Sequence, residues 1–177
     1  MEYKLLSSEI VYHGHAFTIR VDKVRLPDGR NSKLDIVEHI GSVIIIPVDA
    51  DDNLLFVRQY RHAAGLELLE FPAGTLEFNE LPEVCARREI REETGMAAEK
   101  MQHLGGFYLA PGYSTEYMEV YLATGLYHAP LEADADEFLS VESLKLDEVT
   151  SLCENGKILD AKTLAAFSLL RPYLKIP

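Results

Sequence analysis

Apolar and polar positions alternate with a period of two along much of the first forty residues. Phe17-Thr18-Ile19-Arg20-Val21 and Val24-Arg25-Leu26 lead into Pro27-Asp28-Gly29-Arg30, a turn composition, and Lys33-Leu34-Asp35-Ile36-Val37-Glu38 alternates again. This pattern predicts a small antiparallel sheet ahead of the main body. Val43–Val48 and Leu54–Arg58 are two apolar, β-branched-rich runs, and the intervening Asp49-Ala50-Asp51-Asp52-Asn53 predicts a hairpin. That linker also matches the opening of a calcium loop. Leu54 stands where such a loop requires glycine, and no helices flank it, so the turn is preferred.

Near residues 81–94 the apolar positions (Leu81, Val84, Cys85, Ile90) take on helical spacing. Pro82 falls in the first turn, where its missing N–H is harmless, and Gly95 stands where a left-handed residue ends a helix. Gly105–Tyr108 and Glu119–Ala123 predict short strands around the loop at 110–116, and Phe138–Val141 predicts another. Asp147 to Glu154 and Asp160 to Leu174 read as helices, the second with Asp160 as its N-cap. Strands on both sides of a helix, with helices at the end, predict an α/β (α+β) sandwich with a mixed sheet between helices, not a repeating βαβ array. Residues 1–40 would be an N-terminal antiparallel sheet extension and 41–177 the main domain.

Composition narrows the function classes. With 177 residues, 47% apolar and 26% charged, the chain has the make-up of one globular domain with a small extension. A net charge of −12 argues against nonspecific binding to nucleic acid or anionic lipid, which call for surplus Lys and Arg. The start, MEYKLLSSEI, has neither the basic residues nor the apolar core of a targeting segment, and Val43–Val48 is too short to cross a membrane. The two cysteines, Cys85 and Cys153, have no framework spacing, so the expected setting is a reducing cytoplasm.

The chemistry is concentrated in GTLEFNELPEVCARREIREETGM, residues 74–96. Residues four apart share a helix face, so Glu89 and Glu93 line up, Glu92 flanks them, and Arg88 sits four before Glu92. Like charges at that spacing cost a few tenths of a kcal/mol each, roughly, unless a cation offsets them. Three carboxylates suit a hard cation with oxygen ligands, Mg²⁺ or Mn²⁺, and such metals most often serve phosphate chemistry.

This stretch resembles the Nudix box at each defining position: Gly74, Glu80, Arg88, Glu89, apolar Ile90, Glu92, Glu93, Gly95 and apolar Met96. Asn79 stands where relatives often carry glycine, and asparagine tolerates the left-handed conformation, so no functional consequence is expected. Outside the box, Val57-Arg58-Gln59-Tyr60-Arg61, Glu70-Phe71-Pro72-Ala73-Gly74, Pro111 at fifteen residues after Met96, and Gly156-Lys157-Ile158-Leu159-Asp160-Ala161-Lys162-Thr163 resemble the ADP-ribose pyrophosphatase-like subgroup. The resemblance implies a Nudix fold and metal-dependent hydrolysis of the pyrophosphate in a nucleoside diphosphate sugar. It implies Glu89, Glu92, Glu93 and the Ala73 carbonyl as metal ligands, with Arg88 orienting the glutamates. Glu80 would brace the loop, and Glu77 would reach metal or phosphate or serve the loop alone.

Arg58 and Arg61, three apart on a strand, point to opposite faces, and the family comparison favours Arg61 for the phosphate. Glu137 is the expected general base, with Asp134 and Asp136 as substitutes. Glu38 and Lys33 are candidates for a ribose or base edge, Pro111 marks a substrate loop, and stacking on the base falls to Phe17, Tyr12 or Tyr113, since there is no tryptophan. A homodimer formed through the N-terminal sheet is implied by the same resemblance. GDP-mannose, an oxidised nucleoside triphosphate or a dinucleoside polyphosphate are the alternative substrates, and a non-catalytic nucleotide-sugar sensor is the alternative from another class.

Overall fold

The structure, a computed structural model, describes residues 2–132 and 138–173. The chain divides into two compact units, Met1–Gly41 with Tyr108–Tyr117, and the remainder. The first unit holds β1 (Lys4–His13), β2 (Thr18–Arg25) and β3 (Asn31–Glu38), paired antiparallel in that order. The turn before β3 closes as its composition predicts: Gly29 N–H donates to the Leu26 carbonyl, and Asp28 accepts from the Arg30 backbone and guanidinium. β1 carries register shifts between Leu5 and Ser7 and between Ile10 and Tyr12. Each shift changes which face the following residues meet, which is why this strand shows no alternation in the sequence. The loop at 108–117 is tied to β3, with Val37 N–H on the Tyr113 carbonyl and Thr115 N–H on the Val37 carbonyl.

The second unit contains β4 (Ser42–Pro47), β5 (Leu54–Arg61), β6 (Leu66–Glu70), β7 (Ala73–Thr75), α1 (Pro82–Thr94), most of β8 (Met96–Tyr108) and β9 (Tyr117–His128), β10 (Leu139–Leu144), α2 (Leu146–Glu154) and α3 (Ala161–Leu170). One sheet has the order β7-β4-β9-β8, with β4 parallel to β9 and antiparallel to β7, hence mixed. The other, β10-β5-β6, is antiparallel on both sides of β5.

β4 organises this unit because all six of its residues are buried. Successive side chains on a strand point to opposite faces. Val43 and Ile45 accordingly pack with Cys85, Ala86 and Ile90 of α1, while Ile44 and Ile46 pack with Phe56, Phe71, Val149 of α2, and Phe167 and Leu170 of α3. The strand is therefore sandwiched between helices, an α+β arrangement.

The expected hairpin between β4 and β5 does not form. The linker turns as predicted, with the Asp49 carboxylate accepting from the Asp51 and Asn53 backbones, but only Val48 and Leu54 bridge. Both runs are apolar on both faces, so each is covered in its own sheet. β6 and β7 have no clear signal in the sequence, and β8 and β9 are longer than the fragments expected there. The last helix ends at Leu170 and continues as a 3-10 turn through Tyr173.

Candidate active site

Helix α1 starts and stops where its sequence directs. Leu81 is the extended residue before it, Pro82 opens it, and Gly95 ends it at φ 72°, with its N–H on the Arg91 carbonyl. Asn79 takes φ 62°, the left-handed conformation asparagine tolerates. That turn carries Glu80 back to the helix, where it accepts from the Glu77 N–H at 2.9 Å and from Arg88 through Nε and Nη2 at 3.1 and 2.9 Å. Arg88 Nη1 donates to Glu89 at 2.7 Å and to Glu92 at 2.8 Å. One guanidinium thus gathers three carboxylates. Its hydrogen bonds to Glu80 are the chief reason its own pKa is raised, and they hold the Glu80 carboxyl below the usual carboxylate range.

Glu89 and Glu93 are both buried on the α1 face toward β7. Glu93 accepts the Ala73 N–H at 3.0 Å, so the residue whose carbonyl is the expected metal ligand is fixed by an expected carboxylate ligand. Gly74 is required for a steric reason. A Cβ there would overlap the Glu89 carboxylate, whereas its φ lies outside the left-handed region that favours glycine. The first glycine of the motif makes room for the first glutamate of the helix.

The other expected residues are distributed over both units. Arg58 is ion-paired with Glu142 and lines a groove of about 460 Å³ with Glu67, Glu148, Leu152 and Lys157; no residue of the 74–96 motif lines it. Arg61, on the other face of β5, binds Glu70 through Nε and Nη2 at 2.9 and 2.7 Å and feels the charge of Glu93. Glu77 has an exposed side chain and serves the loop through its backbone. Glu38, paired with Arg20, and the exposed Pro111 belong to the first unit, where Thr115 Oγ1 holds both the His39 N–H and carbonyl beside Glu38. Tyr12, Phe17 and Tyr113 are exposed in that same unit. Glu137, Asp134 and Asp136 lie outside the described residues.

A family profile described as NUDIX domain matches residues 38–167. The chain belongs to the Nudix family. A second profile, described as a nucleoside diphosphate sugar hydrolase N-terminal domain, matches residues 3–33. An ADP-ribose pyrophosphatase of Bacillus subtilis (strain 168) is 36% identical over 97% of this chain and 94% of its own. A methanol dehydrogenase activator of Bacillus methanolicus is 37% identical over 96% and 93%. Among solved structures, one titled as an ADP compounds hydrolase superposes with a TM-score of 0.87 at 27% identity, covering 99% of this chain and 95% of the other.

Nudix hydrolases generally use a divalent metal. The donor set expected in this Nudix box suits one: oxygen donors throughout, two of them buried carboxylates stacked on one helix face. Arg88 and the Ala73 N–H share those carboxylates among them, and the described residues contain no group of three acidic, His or Cys side chains already set as a cation cage. Among the described residues no helix is long and apolar enough to cross a membrane.

Sequence reasoning did not find the partnership of Glu70, Lys162 and Thr163. Glu70 is buried, and Lys162 Nζ joins Arg61 on its carboxylate; Thr163 Oγ1 accepts the Phe71 N–H at 2.9 Å. Asp160, the N-cap of α3, accepts from Thr163 N–H and O–H and pairs with Lys162. The partners are 92 residues apart, and no local pattern announces them.

Proposed function

We propose that this Nudix protein hydrolyses the pyrophosphate of ADP-ribose or a related nucleoside diphosphate sugar with Mg²⁺, releasing a nucleoside monophosphate and a sugar phosphate. The observation that carries the substrate class is the pairing, in one chain, of a complete Nudix box with an N-terminal region matching the nucleoside diphosphate sugar hydrolases. End-to-end similarity to an ADP-ribose pyrophosphatase supports it.

In this reading Glu89, Glu92, Glu93 and the Ala73 carbonyl hold the metal. A divalent metal held there would supply neutralisation of pyrophosphate charge and a lower pKa for the attacking water. Arg88 keeps Glu89 and Glu92 at one place, and Gly74 leaves the space Glu89 occupies. Arg61, with its side chain partly exposed and next to the field of Glu93, supplies the cation for the substrate's phosphate. Glu137 is proposed as the base. Glu38, Pro111 and the exposed aromatics of the first unit belong to recognition of the nucleoside. Arg58 is left to brace β5 against β10 through Glu142.

The first unit also supports a homodimer. Leu5, Ile10, Val11 and Tyr12 of β1 are all half-exposed or more, which is apolar surface suited to a second copy of the same sheet. Both cysteines are free, in keeping with a cytoplasmic setting.

The test is a product assay of the purified protein with Mg²⁺ against ADP-ribose, GDP-mannose, other sugar nucleotides, nucleoside triphosphates and dinucleoside polyphosphates. AMP and ribose 5-phosphate from ADP-ribose are the expected products. Tight binding of a sugar nucleotide without turnover of any compound would make the protein a sensor instead. Glu93→Gln is expected to lower kcat by at least roughly 10²–10³-fold with the fold kept. A near-normal kcat in that variant would remove the assigned metal site.

A further inference from the structure

Glu70 presents an imbalance that the proposed function does not use. Its side chain is 1% exposed, and two cations hold it: Arg61 through a two-pronged contact and Lys162 through Nζ on Oε2. The two are held very differently. The Lys162 side chain is 11% exposed and is fixed a second time by Asp160 Oδ1 at 3.0 Å. Asp160 is itself immobilised at the head of α3 by the Thr163 N–H at 3.0 Å and hydroxyl at 2.6 Å. The Arg61 side chain is 41% exposed, the more open of the two.

Removing the sole partner of a buried carboxylate strands a charge, which is strongly unfavourable. An arginine that was the only counter-ion of Glu70 would therefore be locked in place and useless to a ligand. We infer that Lys162 is the positioning residue that frees Arg61: held in place by Asp160, it stays paired with Glu70 and keeps that carboxylate from being left without a cation, so the Arg61 guanidinium can exchange a Glu70 oxygen for a phosphate oxygen of the incoming nucleoside diphosphate sugar. The two acceptors are equivalent for the exchange, because carboxylate and phosphate both suit the guanidinium fork. The inference rests on the proposed role of Arg61. It adds that α3, far downstream in the chain, sets the affinity of the phosphate subsite.

The test is the KM for ADP-ribose with Mg²⁺, together with the Kd for ADP-ribose by calorimetry without metal, in wild type, Lys162→Met, Lys162→Gln, Lys162→Arg and the double variant Glu70→Gln/Lys162→Met. Either neutral replacement of Lys162 is expected to raise KM and Kd by about tenfold or more while kcat changes by less than about threefold, the pattern of lost binding equal in ground and transition states. Lys162→Arg, which keeps the charge, is expected near wild type. The double variant is expected to recover most of the lost affinity, because a neutral amide in place of the Glu70 carboxylate no longer needs Arg61. A purely structural role for Lys162 predicts instead a lower melting temperature and a fall in kcat that Glu70→Gln does not repair, and that result would overturn the exchange. So would a wild-type KM and Kd in Lys162→Met. Arg61→Met separates the layers: unchanged affinity there would bring down the exchange along with the phosphate role of Arg61. Loss of turnover in the wild type would bring down the proposed function alone, with the calorimetric arm still deciding the exchange.

Discussion

β4 and β1 make an instructive pair. Both are rich in Leu, Ile and Val, yet every residue of β4 is buried and every described residue of β1 is exposed. What separates them is cover. β4 has α1 on one face and α2 and α3 on the other, so its alternate side chains each meet a helix. β1 lies at the edge of a three-stranded sheet, pairs among the described residues only with β2, and has two register shifts that send apolar residues to both faces. Apolar content therefore marks where burial is needed, and topology decides whether the chain itself provides it. For β1 the remaining cover is a second copy of the chain, on the dimer proposal.

Truncation is the sharpest way to break that comparison. Ile44→Ala removes a fully buried side chain from the β4 core and is expected to cost about 2–5 kcal/mol in chemical denaturation. Ile10→Ala, at a position 50% exposed in β1, is expected to cost under about 1 kcal/mol in dilute monomer. If two copies associate through this sheet, Ile10→Asp should shift the sedimentation of the protein from dimer to monomer while leaving monomer stability nearly unchanged. A wild-type protein that light scattering finds monomeric would remove the dimer, and equal costs at Ile44 and Ile10 would undo the contrast itself.

Gly74→Ala probes the seam between the β4 sheet and α1 on a smaller scale. The backbone at Gly74 accepts an L side chain, so the only objection is the Glu89 carboxylate filling the place of a Cβ. Overpacking of this kind costs about 1–3 kcal/mol. Because Glu89 must move, activity should fall more than stability, and the metal concentration giving half-maximal rate should rise. A variant with wild-type metal dependence would mean that Glu89 is free to stand elsewhere and is not a ligand.

How much of this was legible in the sequence depends on the range of the interaction. α1 was readable almost to the residue because Pro82, Gly95 and the Glu80–Arg88 spacing are local signals, and Asn79 adopts the left-handed turn its chemistry permits. The opposite faces of Arg58 and Arg61 followed from strand periodicity alone. β7 is only three residues, Ala73–Thr75, with no β-branched run, and its existence depends on pairing with β4. The β4–β5 hairpin was misread because two adjacent apolar runs usually pair, whereas these two each have both faces to bury. The Glu70–Lys162 and Phe71–Thr163 contacts had no signal, since nothing within a window of sequence relates residues 92 apart.

The smallest expected effect concerns acid. Glu80 and Glu70 both belong to the unit built on β4, and both carboxyls lie below their usual value of 4.5. At Glu80 the cause is first the pair of hydrogen bonds from Arg88. At Glu70 burial acts the other way, but the hydrogen bonds of Arg61 and the charge and hydrogen bond of Lys162 outweigh it. A carboxyl whose folded value is depressed binds fewer protons when folded than when unfolded. Its contribution is full above about 4.5 and disappears as pH falls through the lower folded value. Melting temperatures from pH 6 to 3 should therefore be level at first and then drop below about 4.5, and Glu80→Gln should start lower at pH 6 but lose less on acidification. The difference between the two curves isolates the Glu80–Arg88 pair. Parallel curves would mean that Arg88 does not hold Glu80 in solution, and that the loop at 76–81 is braced by its backbone alone.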